Sequence, residues 1–227
     1  MNSQTHGVKD KMSHYRYATI VSAPFDQVCY VLWLGGQAEA LVVDPGFDTD
    51  SIEKLLLREN LSVAAILNTH GHADHIAGNR AMKAAHPTAP LLIGRNESHF
   101  LVDSQANLSA GFGLNITSPP ADRLVDDGER LEIAGFSLLV REIPGHSPGS
   151  VVFIADQFEP PLAIVGDVLF AGSVGRTDFP GGSMKTLTSG IHSKLFTLPD
   201  STLVFPGHGP TTNVGTERIQ NPYVGKF

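Results

Sequence analysis

The sequence predicts an α/β (α+β) fold in which strands and helices alternate along the chain. Short apolar runs of strand length recur and are separated by turns rich in glycine and proline. Between some of these runs, apolar residues are spaced as on one face of a helix. The chain has 227 residues, of which 41% are hydrophobic, so it can bury one sizeable core.

The first half is predicted to contain four strands and two helices. The strands are expected at 16–22, 27–34, 39–44 and 63–67, and the third ends in a turn that contains proline and glycine. An amphipathic helix is expected at 49–60. A second helix is expected at about 75–85, where His86 and Pro87 end it because proline cannot continue a helix.

The second half repeats this order of elements. Strands are expected at 130–133, 136–143, 150–155, 163–165 and 202–205, and a helix at 184–196. The irregular stretches 105–121 and 169–183 are long for a compact domain, and such loops usually line a site. We therefore expect a flexible N-terminal tail at 1–14 and a single domain at 15–227 built from two similar halves.

Charge and composition exclude several classes of protein. The formal net charge of −7 argues against a nucleic-acid partner, because phosphate neutralisation needs clustered Lys and Arg. No apolar run reaches the roughly 18 residues of a membrane span, and the polar N-terminus lacks a secretory signal. The single cysteine, Cys29, excludes a disulfide within the chain. We expect a cytoplasmic enzyme without a membrane partner, either a monomer or a small homo-oligomer.

The segment 70–75 has the composition of a metal site. It reads His-Gly-His-Ala-Asp-His and directly follows a predicted strand. Imidazole and carboxylate ligands suit zinc, iron or manganese, whereas calcium and magnesium prefer oxygen ligands. In an extended chain the alternate residues His70, His72 and Asp74 project to one side, and His75 cannot join them. The spacing therefore predicts two metal positions served by one loop.

Further ligands must come from elsewhere, because each metal ion needs four or more donors. Three later residues, His146, Asp167 and His208, each lie where a predicted strand ends in a turn that contains glycine. Singly, each of them could be a loop cap. Together with the first loop they form a specific pattern.

The loop at 70–75 resembles the H-x-H-x-D-H signature of the metallo-β-lactamase superfamily, and the three later residues fall at the places of its later motifs. The resemblance covers about 17–227 and implies a four-layer αββα sandwich with the metal site along one edge of the two sheets. It implies that one metal is held by His70, His72 and His146, and the other by Asp74, His75 and His208. It also implies that Asp167 bridges the two ions with a hydroxide. Asp44 matches an aspartate of an early family motif and is expected to support the ligands from behind.

Within the superfamily the residues resemble a compact, bacterial-type glyoxalase II group. The true β-lactamases commonly carry cysteine where this chain has Asp167. The resemblance to glyoxalase II rests on the segment 175–179, Gly-Arg-Thr-Asp-Phe, and on the ending 207–212.

The resemblance to glyoxalase II implies hydrolysis of S-(2-hydroxyacyl)glutathione, such as S-D-lactoylglutathione, as in methylglyoxal detoxification. Zinc is the expected metal, and iron or manganese would also suit the ligands. The chain lacks the C-terminal helical region of the larger glyoxalase II enzymes, so Arg176 is the best candidate anchor for glutathione, with a structural salt bridge as its alternative.

A thioester suits the expected residues better than an amide or a lactam. A thiol of pKa about 8.5 leaves as a thiolate without a strong acid. An amide nitrogen would need a proton, and the sequence offers no dedicated acid beyond the metal ligands. Asp74 is the candidate that both binds metal and orients the attacking hydroxide.

Other functions fit part of the same pattern. Persulfide dioxygenases of this fold also carry a Gly-Arg-Thr-Asp-Phe segment and are thought to use one iron, here on His70, His146 and Asp167. A lactonase would share the whole ligand set, and a non-enzymatic metal-binding domain is the alternative outside enzymes.

The other histidines are expected to lie off the metal site. Phe112, Phe170 and Phe179 are candidates for the wall of the pocket.

Overall fold

The strands of the first half form one six-stranded sheet. They are β1 (Tyr15–Ser22), β2 (Gln27–Leu34), β3 (Glu39–Val43), β4 (Ser62–Asn68), β5 (Leu91–Gly94) and β6 (Arg123–Val125), paired in that order. The pairs β1–β2 and β2–β3 are antiparallel, and the pairs from β3 to β6 are parallel. The computed structural model describes residues 14–225, so most of the predicted tail lies outside the described residues.

A second six-stranded sheet comes from the other half of the chain. Its strands are β7 (Arg130–Ile133), β8 (Phe136–Glu142), β9 (Val151–Ala155), β10 (Leu162–Gly166), β13 (Leu203–Pro206) and β14 (Thr212–Asn213). Their order is β14-β13-β10-β9-β8-β7, in which β10 and β13 are parallel. The short strands β11 (Leu169–Phe170) and β12 (Ser173–Val174) pair as a separate hairpin.

The two sheets pack face to face, and β2 shows how the layers are built. All eight residues of β2 are buried. Tyr30 and Leu32 lie in the core between the sheets, with Phe153 and Phe205 of the second sheet. Because successive side chains of a strand point to opposite faces, the residue between them, Val31, lies in a second core on the outer face. A strand covered on both sides reads as the continuous apolar run that is seen in the sequence.

Helices cover the outer face of each sheet. On the first sheet lie α1 (Thr49–Glu59), α2 (Ala73–Ile76) and α3 (Asn79–Ala85), which contribute Ile52, Ile76 and Met82, among others, to its outer core. On the second lie α4 (Met184–Gly190), a π-helical turn at Ile191–Leu195 and α5 (Val214–Gln220). Two 3₁₀ helices, Arg95–Leu101 and Ser109–Phe112, belong to the connections. The predicted four-layer αββα sandwich is therefore confirmed.

The predicted helix at 75–85 is wrong in detail, because the chain forms two short helices with a break at Gly78. The N–H of Gly78 donates to the carbonyl oxygen of Pro45 at 2.8 Å. A Cβ atom at this position would lie 2.5 Å from the carbonyl oxygen of Gly46, so only glycine fits this close approach. The break ends the first helix after Ile76 and leaves Asp74 and His75 on a turn of their own.

Elements with little local signal were not predicted. Strands β5 and β6 have four and three residues, and a run that short does not show a period. The last helix, α5, was also missed, and the predicted helix at 184–196 changes to a π-helical turn after Gly190. No helix within residues 14–225 has the length and apolar character that crossing a membrane requires.

The ends of β4, β10 and β13 meet at one edge of the sandwich. Val151 donates to the carbonyl oxygen of Thr69 at 2.8 Å, which joins the two sheets there. Gly207 donates to the carbonyl oxygen of Gly166 at 2.9 Å, and Val28 donates to that of Gly207 at 2.8 Å. The segments that follow these strands are therefore brought together.

Candidate metal centre

The first loop leaves β4 at Asn68 and runs in extended form to His72, where α2 begins. His70 and His72 are buried, and so is His75 on α2. A fully extended loop would place Asp74 with His70 and His72, whereas the resemblance groups it with His75 and His208, and the structure has the second arrangement. The helix turns Asp74 away from the extended residues and groups it with His75.

Three groups of side chains could each hold a metal ion, with their ligand atoms within 4.8 Å of one another. The first is His70, His72 and His146, and the second is Asp74, His75 and His208. A third group joins His70 and His75 through Asp167. The structure thus brings together all seven residues that the sequence pattern proposes as ligands.

Asp167 lies between the first two groups. Its Oδ2 atom is 3.5 Å from Nε2 of His146 and 3.6 Å from Nε2 of His208. Its Oδ1 atom is 3.3 Å from Nε2 of His75. One carboxylate therefore faces ligand atoms of both groups.

Asp44 and Thr69 orient two of the histidine rings. Thr69 donates its hydroxyl hydrogen to Oδ2 of Asp44 at 2.6 Å, so its oxygen can accept from Nδ1 of His70 at 3.1 Å. His75 donates from Nδ1 to the same Oδ2 at 3.0 Å. Because Nδ1 of each ring is engaged in this hydrogen bond, Nε2 is the atom left to bind a metal ion.

The carbonyl oxygen of Arg176 orients a third ring, that of His146. Nδ1 of His146 donates to this oxygen at 2.8 Å, which again leaves Nε2 as the ligand atom. This Nε2 lies 2.9 Å from Nδ1 of His72. The two nitrogens face one point in space from different loops.

Buried polar atoms without a partner test whether a metal fits. Nε2 of His70, Nε2 of His75 and Oδ1 of Asp167 are buried and make no hydrogen bond. His75 and Asp167 are close, but their atoms are not aligned for a hydrogen bond. Buried polar atoms normally have a hydrogen-bond partner. Three unpaired atoms that lie close together are therefore suited to bind a cation. The residues present therefore fit divalent metal ions.

The electrostatics of the two groups differ. Burial lowers the pKa of His70 well below that of a free imidazole, and burial together with His146 lowers the pKa of His72 to about 3. Burial also disfavours charge on His75, but the carboxylates of Asp74 and Asp167 raise its pKa well above the usual value. Imidazole binds metal in its neutral form, so a metal ion would bind His70 and His72 directly and would replace a proton on His75.

Glu97 joins the two loops that carry the first histidine group. Its side chain is buried; Oε2 accepts from the N–H of Gly71 at 2.9 Å, and Oε1 accepts from that of Gly149 at 2.6 Å. Gly71 lies between His70 and His72, and Gly149 ends the loop of His146. Sequence analysis did not single out Glu97, because a lone glutamate in a polar segment carries no pattern.

Gly207 lets the last ligand loop approach the centre. A Cβ atom on this residue would lie 2.3 Å from Oδ1 of Asp167 and 2.6 Å from Cε1 of His75. No side chain can be accommodated there without moving these groups. The glycine before His208 is therefore required by packing.

A cavity of about 410 Å³ opens over the two groups. Both long loops of the sequence contribute to its wall, the first through Phe112 and the second through Phe170 and Phe179. Phe25, in the turn between β1 and β2, also lines it, and sequence analysis did not predict this contribution. The volume is in the range of small-molecule sites.

Arg176 lines the same cavity but is engaged with two neighbours. Its guanidinium group donates two hydrogen bonds of 2.6 Å to Asp178 and lies 4.1 Å over the ring of Phe179. The hydrogen bonds from Arg176 lower the pKa of Asp178 to about 2. Both charged groups are exposed, so the pair is weak and can open.

The remaining histidines of the described chain lie outside these groups. None of His14, His86, His99 and His192 belongs to a potential metal group in residues 14–225. His86 instead contacts Glu53 at 2.8 Å. His6 lies outside the described residues.

Comparison with known proteins agrees with this geometry. The model of the metallo-beta-lactamase superfamily matches residues 23–208. The hydroxyacylglutathione hydrolase GloC of Haemophilus influenzae is 36% identical over 203 residues, which cover 88% of this chain and 93% of GloC.

Two further relatives carry other activities in their names. The human mitochondrial persulfide dioxygenase ETHE1 is 32% identical over 198 residues, covering 85% of this chain and 69% of ETHE1. The crystal structure of BLEG-1 B3 metallo-beta-lactamase is 38% identical, with a TM-score of 0.88 over 93% of this chain and 100% of that one.

Proposed function

The chain belongs to the metallo-β-lactamase superfamily, and we propose that it is a metal-dependent thioesterase of the glyoxalase II type. The proposed reaction is hydrolysis of S-(2-hydroxyacyl)glutathione, such as S-D-lactoylglutathione, to a 2-hydroxy acid and glutathione. The similarity to GloC supports this choice of substrate.

The observation that carries the proposal is the position of Asp167 between two complete groups of ligands. His70, His72 and His146 would hold one ion, and Asp74, His75 and His208 the other. Asp167 would contact both. Zinc suits these nitrogen and oxygen ligands and hydrolysis, and iron or manganese could occupy the same residues.

Two divalent ions held there would lower the pKa of a coordinated water to about 7 and polarise a carbonyl oxygen. The protein's own residues position the reactants. Oδ2 of Asp74 lies 3.2 Å from Nε2 of His208 on the cavity side, where the carboxylate can accept a hydrogen bond from the attacking water. Asp44 and Thr69 hold the ligand rings in place, so the site is organised before substrate binds.

The residues of the cavity suit a substrate whose leaving group can depart without being protonated. Its described lining residues include no titratable group outside the proposed ligands except Arg176, which stays protonated. A thiolate needs no proton to depart, whereas an amide nitrogen does. A thioester is therefore the substrate class that these residues can cleave without a further acid.

Arg176 is the proposed anchor for a carboxylate of glutathione. It lies beside the first histidine group, and its partner Asp178 is an exposed carboxylate that an incoming anion could replace. The guanidinium group can bind a carboxylate through two parallel hydrogen bonds. Arg176→Lys keeps the charge but loses that geometry.

The test is release of free thiol from S-D-lactoylglutathione by protein with measured metal content. We expect release that stops after chelation and returns on adding zinc. A panel with a β-lactam and a lactone checks the class of substrate. Faster cleavage of a β-lactam than of any thioester would contradict the proposal and would favour the activity named for BLEG-1.

A persulfide dioxygenase is the second candidate, because the human dioxygenase is nearly as similar as GloC. It would use iron on His70, His146 and Asp167. Asp74 and His208 then have no ligand role, so His208→Ala distinguishes the two functions. Oxygen uptake on glutathione persulfide that survives His208→Ala would favour the dioxygenase.

A further inference from the structure

The wall of the cavity has two sides of different chemistry. We call Arg176 and Phe179 the arginine side, and Phe25, Phe112 and Phe170 the phenylalanine side. All five residues line the one cavity above the candidate metal centre. The two sides contact different ligand groups of that centre.

The arginine side lies against the first histidine group. The ring of Phe179 is 5.6 Å from that of His72, and Arg176 lies 4.1 Å over Phe179. The carbonyl oxygen of Arg176 also accepts from His146. This side therefore offers a cation next to one metal position.

The phenylalanine side lies against the second group. The ring of Phe170 is 6.1 Å from that of His208 and meets it edge to face. The segment that carries Phe25 also lies beside the second group, because Gln27 forms an antiparallel β-bridge with His208. Phe25 and Phe112 are in contact, with their ring centres 5.5 Å apart.

This side leaves apolar surface uncovered. Phe112 is 61% exposed, and Phe25 and Phe170 are only partly buried. The charged groups in the described lining are Arg176 and the candidate metal ligands, so the phenylalanine side contributes none of its own. Exposed apolar surface in a cavity favours an apolar ligand group, because covering it removes it from water.

A bound thioester must place its carbonyl at the metal centre, between the two sides. Its two arms then run in opposite directions. The glutathione arm carries carboxylates and needs the cation, so it belongs on the arginine side. The acyl arm is left with the phenylalanine side.

We propose that this acyl arm carries an aromatic or branched aliphatic group, which stacks on Phe25, Phe112 and Phe170. The inference rests on the proposed function and specifies its substrate class. A lactoyl group, with a single methyl beyond the hydroxyl-bearing carbon, cannot cover three rings. A phenyl group can lie against them edge to face.

Calorimetry with two inert thioethers, S-benzylglutathione and S-methylglutathione, tests this on the metal-loaded protein. The shared glutathione part cancels in the comparison, and neither ligand can be hydrolysed. We expect the benzyl compound to bind about tenfold to a hundredfold more tightly, as burial of one aromatic ring predicts. Equal affinities would overturn the inference.

Two variants test whether Phe112 and Phe25 cause the preference for the benzyl ligand. Phe112→Ala and Phe25→Ala are each expected to reduce the ratio of the two dissociation constants at least about threefold. The matched control is Leu57→Ala, which removes an apolar side chain that is 79% exposed on α1 and does not line the cavity. If both phenylalanine variants keep the wild-type ratio, the acyl arm does not contact these rings and the inference fails.

Measuring the hydrolysis of two thioesters tests this inference separately from the proposed function. We expect kcat/KM for S-mandeloylglutathione to exceed that for S-D-lactoylglutathione, and Phe112→Ala to remove most of the difference. Thioester cleavage without any preference would overturn the inference alone. A benzyl preference in calorimetry without cleavage of any thioester would support the apolar subsite and reject the thioesterase.

Discussion

Asp44 acts on the candidate ligands without being one of them. Its two oxygens accept from the hydroxyl and N–H of Thr69 and from Nδ1 of His75. Thr69 in turn contacts His70, so one buried carboxylate orients rings that serve both groups. Carboxylates in this position raise the basicity of the histidine and hold its ring in the orientation that the metal needs.

Asp44→Asn is expected to lower metal affinity about 10- to 100-fold, because the amide nitrogen cannot accept from Thr69 or His75. A competition titration against a chromophoric chelator measures the effect. Asp48→Asn is the control, because Asp48 caps α1 through Ser51 and asparagine caps a helix equally well. Wild-type affinity in Asp44→Asn would contradict the role of Asp44.

Glu97→Gln tests the link between the two loops of the first histidine group. One of the two acceptors becomes a donor that faces a backbone N–H, which is expected to cost about 1–3 kcal/mol of folding free energy. If Glu97 also positions the loops, the folded variant binds less metal at room temperature. Denaturant unfolding and metal analysis together separate the two effects.

Glu142→Gln is the matched control for Glu97. Glu142 is partly exposed, and within residues 14–225 its carboxylate accepts a hydrogen bond only from the side chain of Asn96. We expect it to leave both measurements unchanged within about 0.5 kcal/mol. A Glu97→Gln protein that is destabilised but keeps full metal content would show that Glu97 is only structural.

At the scale of elements, the site depends on close contacts at the ends of strands. The segment that follows β13 passes close to Asp167 and His75, so Gly207 has no room for a side chain. The break between α2 and α3 at Gly78 is a contact of the same kind. Both glycines allow one segment to approach another, and Gly207 does so beside two candidate ligands.

Gly207→Ala is expected to reduce metal content strongly, because its Cβ would displace Asp167 or His75. Gly111→Ala is the control, since a Cβ atom at Gly111 meets nothing within 4 Å. Metal analysis of the purified folded proteins, checked by circular dichroism, provides the measurement. Full metal content in Gly207→Ala would mean that the backbone relaxes and the contact is not required.

At the scale of the whole molecule, the candidate metal centre lies between the two sheets. The first sheet supplies the loop at 70–75, and the second supplies the segments of His146, Asp167 and His208. Metal bound between them stabilises the folded state only, because the unfolded chain does not bring these residues together.

Removal of metal is therefore expected to lower the melting temperature. Metal at about 100 times its dissociation constant contributes about 2.7 kcal/mol. For a chain of this size that corresponds to roughly 5–10 °C. Differential scanning calorimetry with and without a chelator measures it, and Asp167→Asn should show a smaller change. An unchanged melting temperature after complete chelation would argue against a centre that spans both sheets.

The sequence by itself determined the fold class and the seven candidate ligands. Long apolar runs such as β2 were predictable because burial on both faces removes polar residues from the strand. The ligands could be found because His and Asp beside glycine at strand ends form a local pattern, and the family match confirmed the fold.

Spacing along the chain could not group these residues, whereas the family resemblance implied the two groups that the structure shows. Only the tertiary structure decided how these residues are supported. Asp74 joins His75 because α2 turns between them and His72, and a short helix leaves no period in the sequence. Glu97 and Phe25 reach the site from segments distant in sequence, through contacts with no local signature. Local spacing predicts which side chains carry the chemistry, whereas packing between distant segments decides what each of them meets.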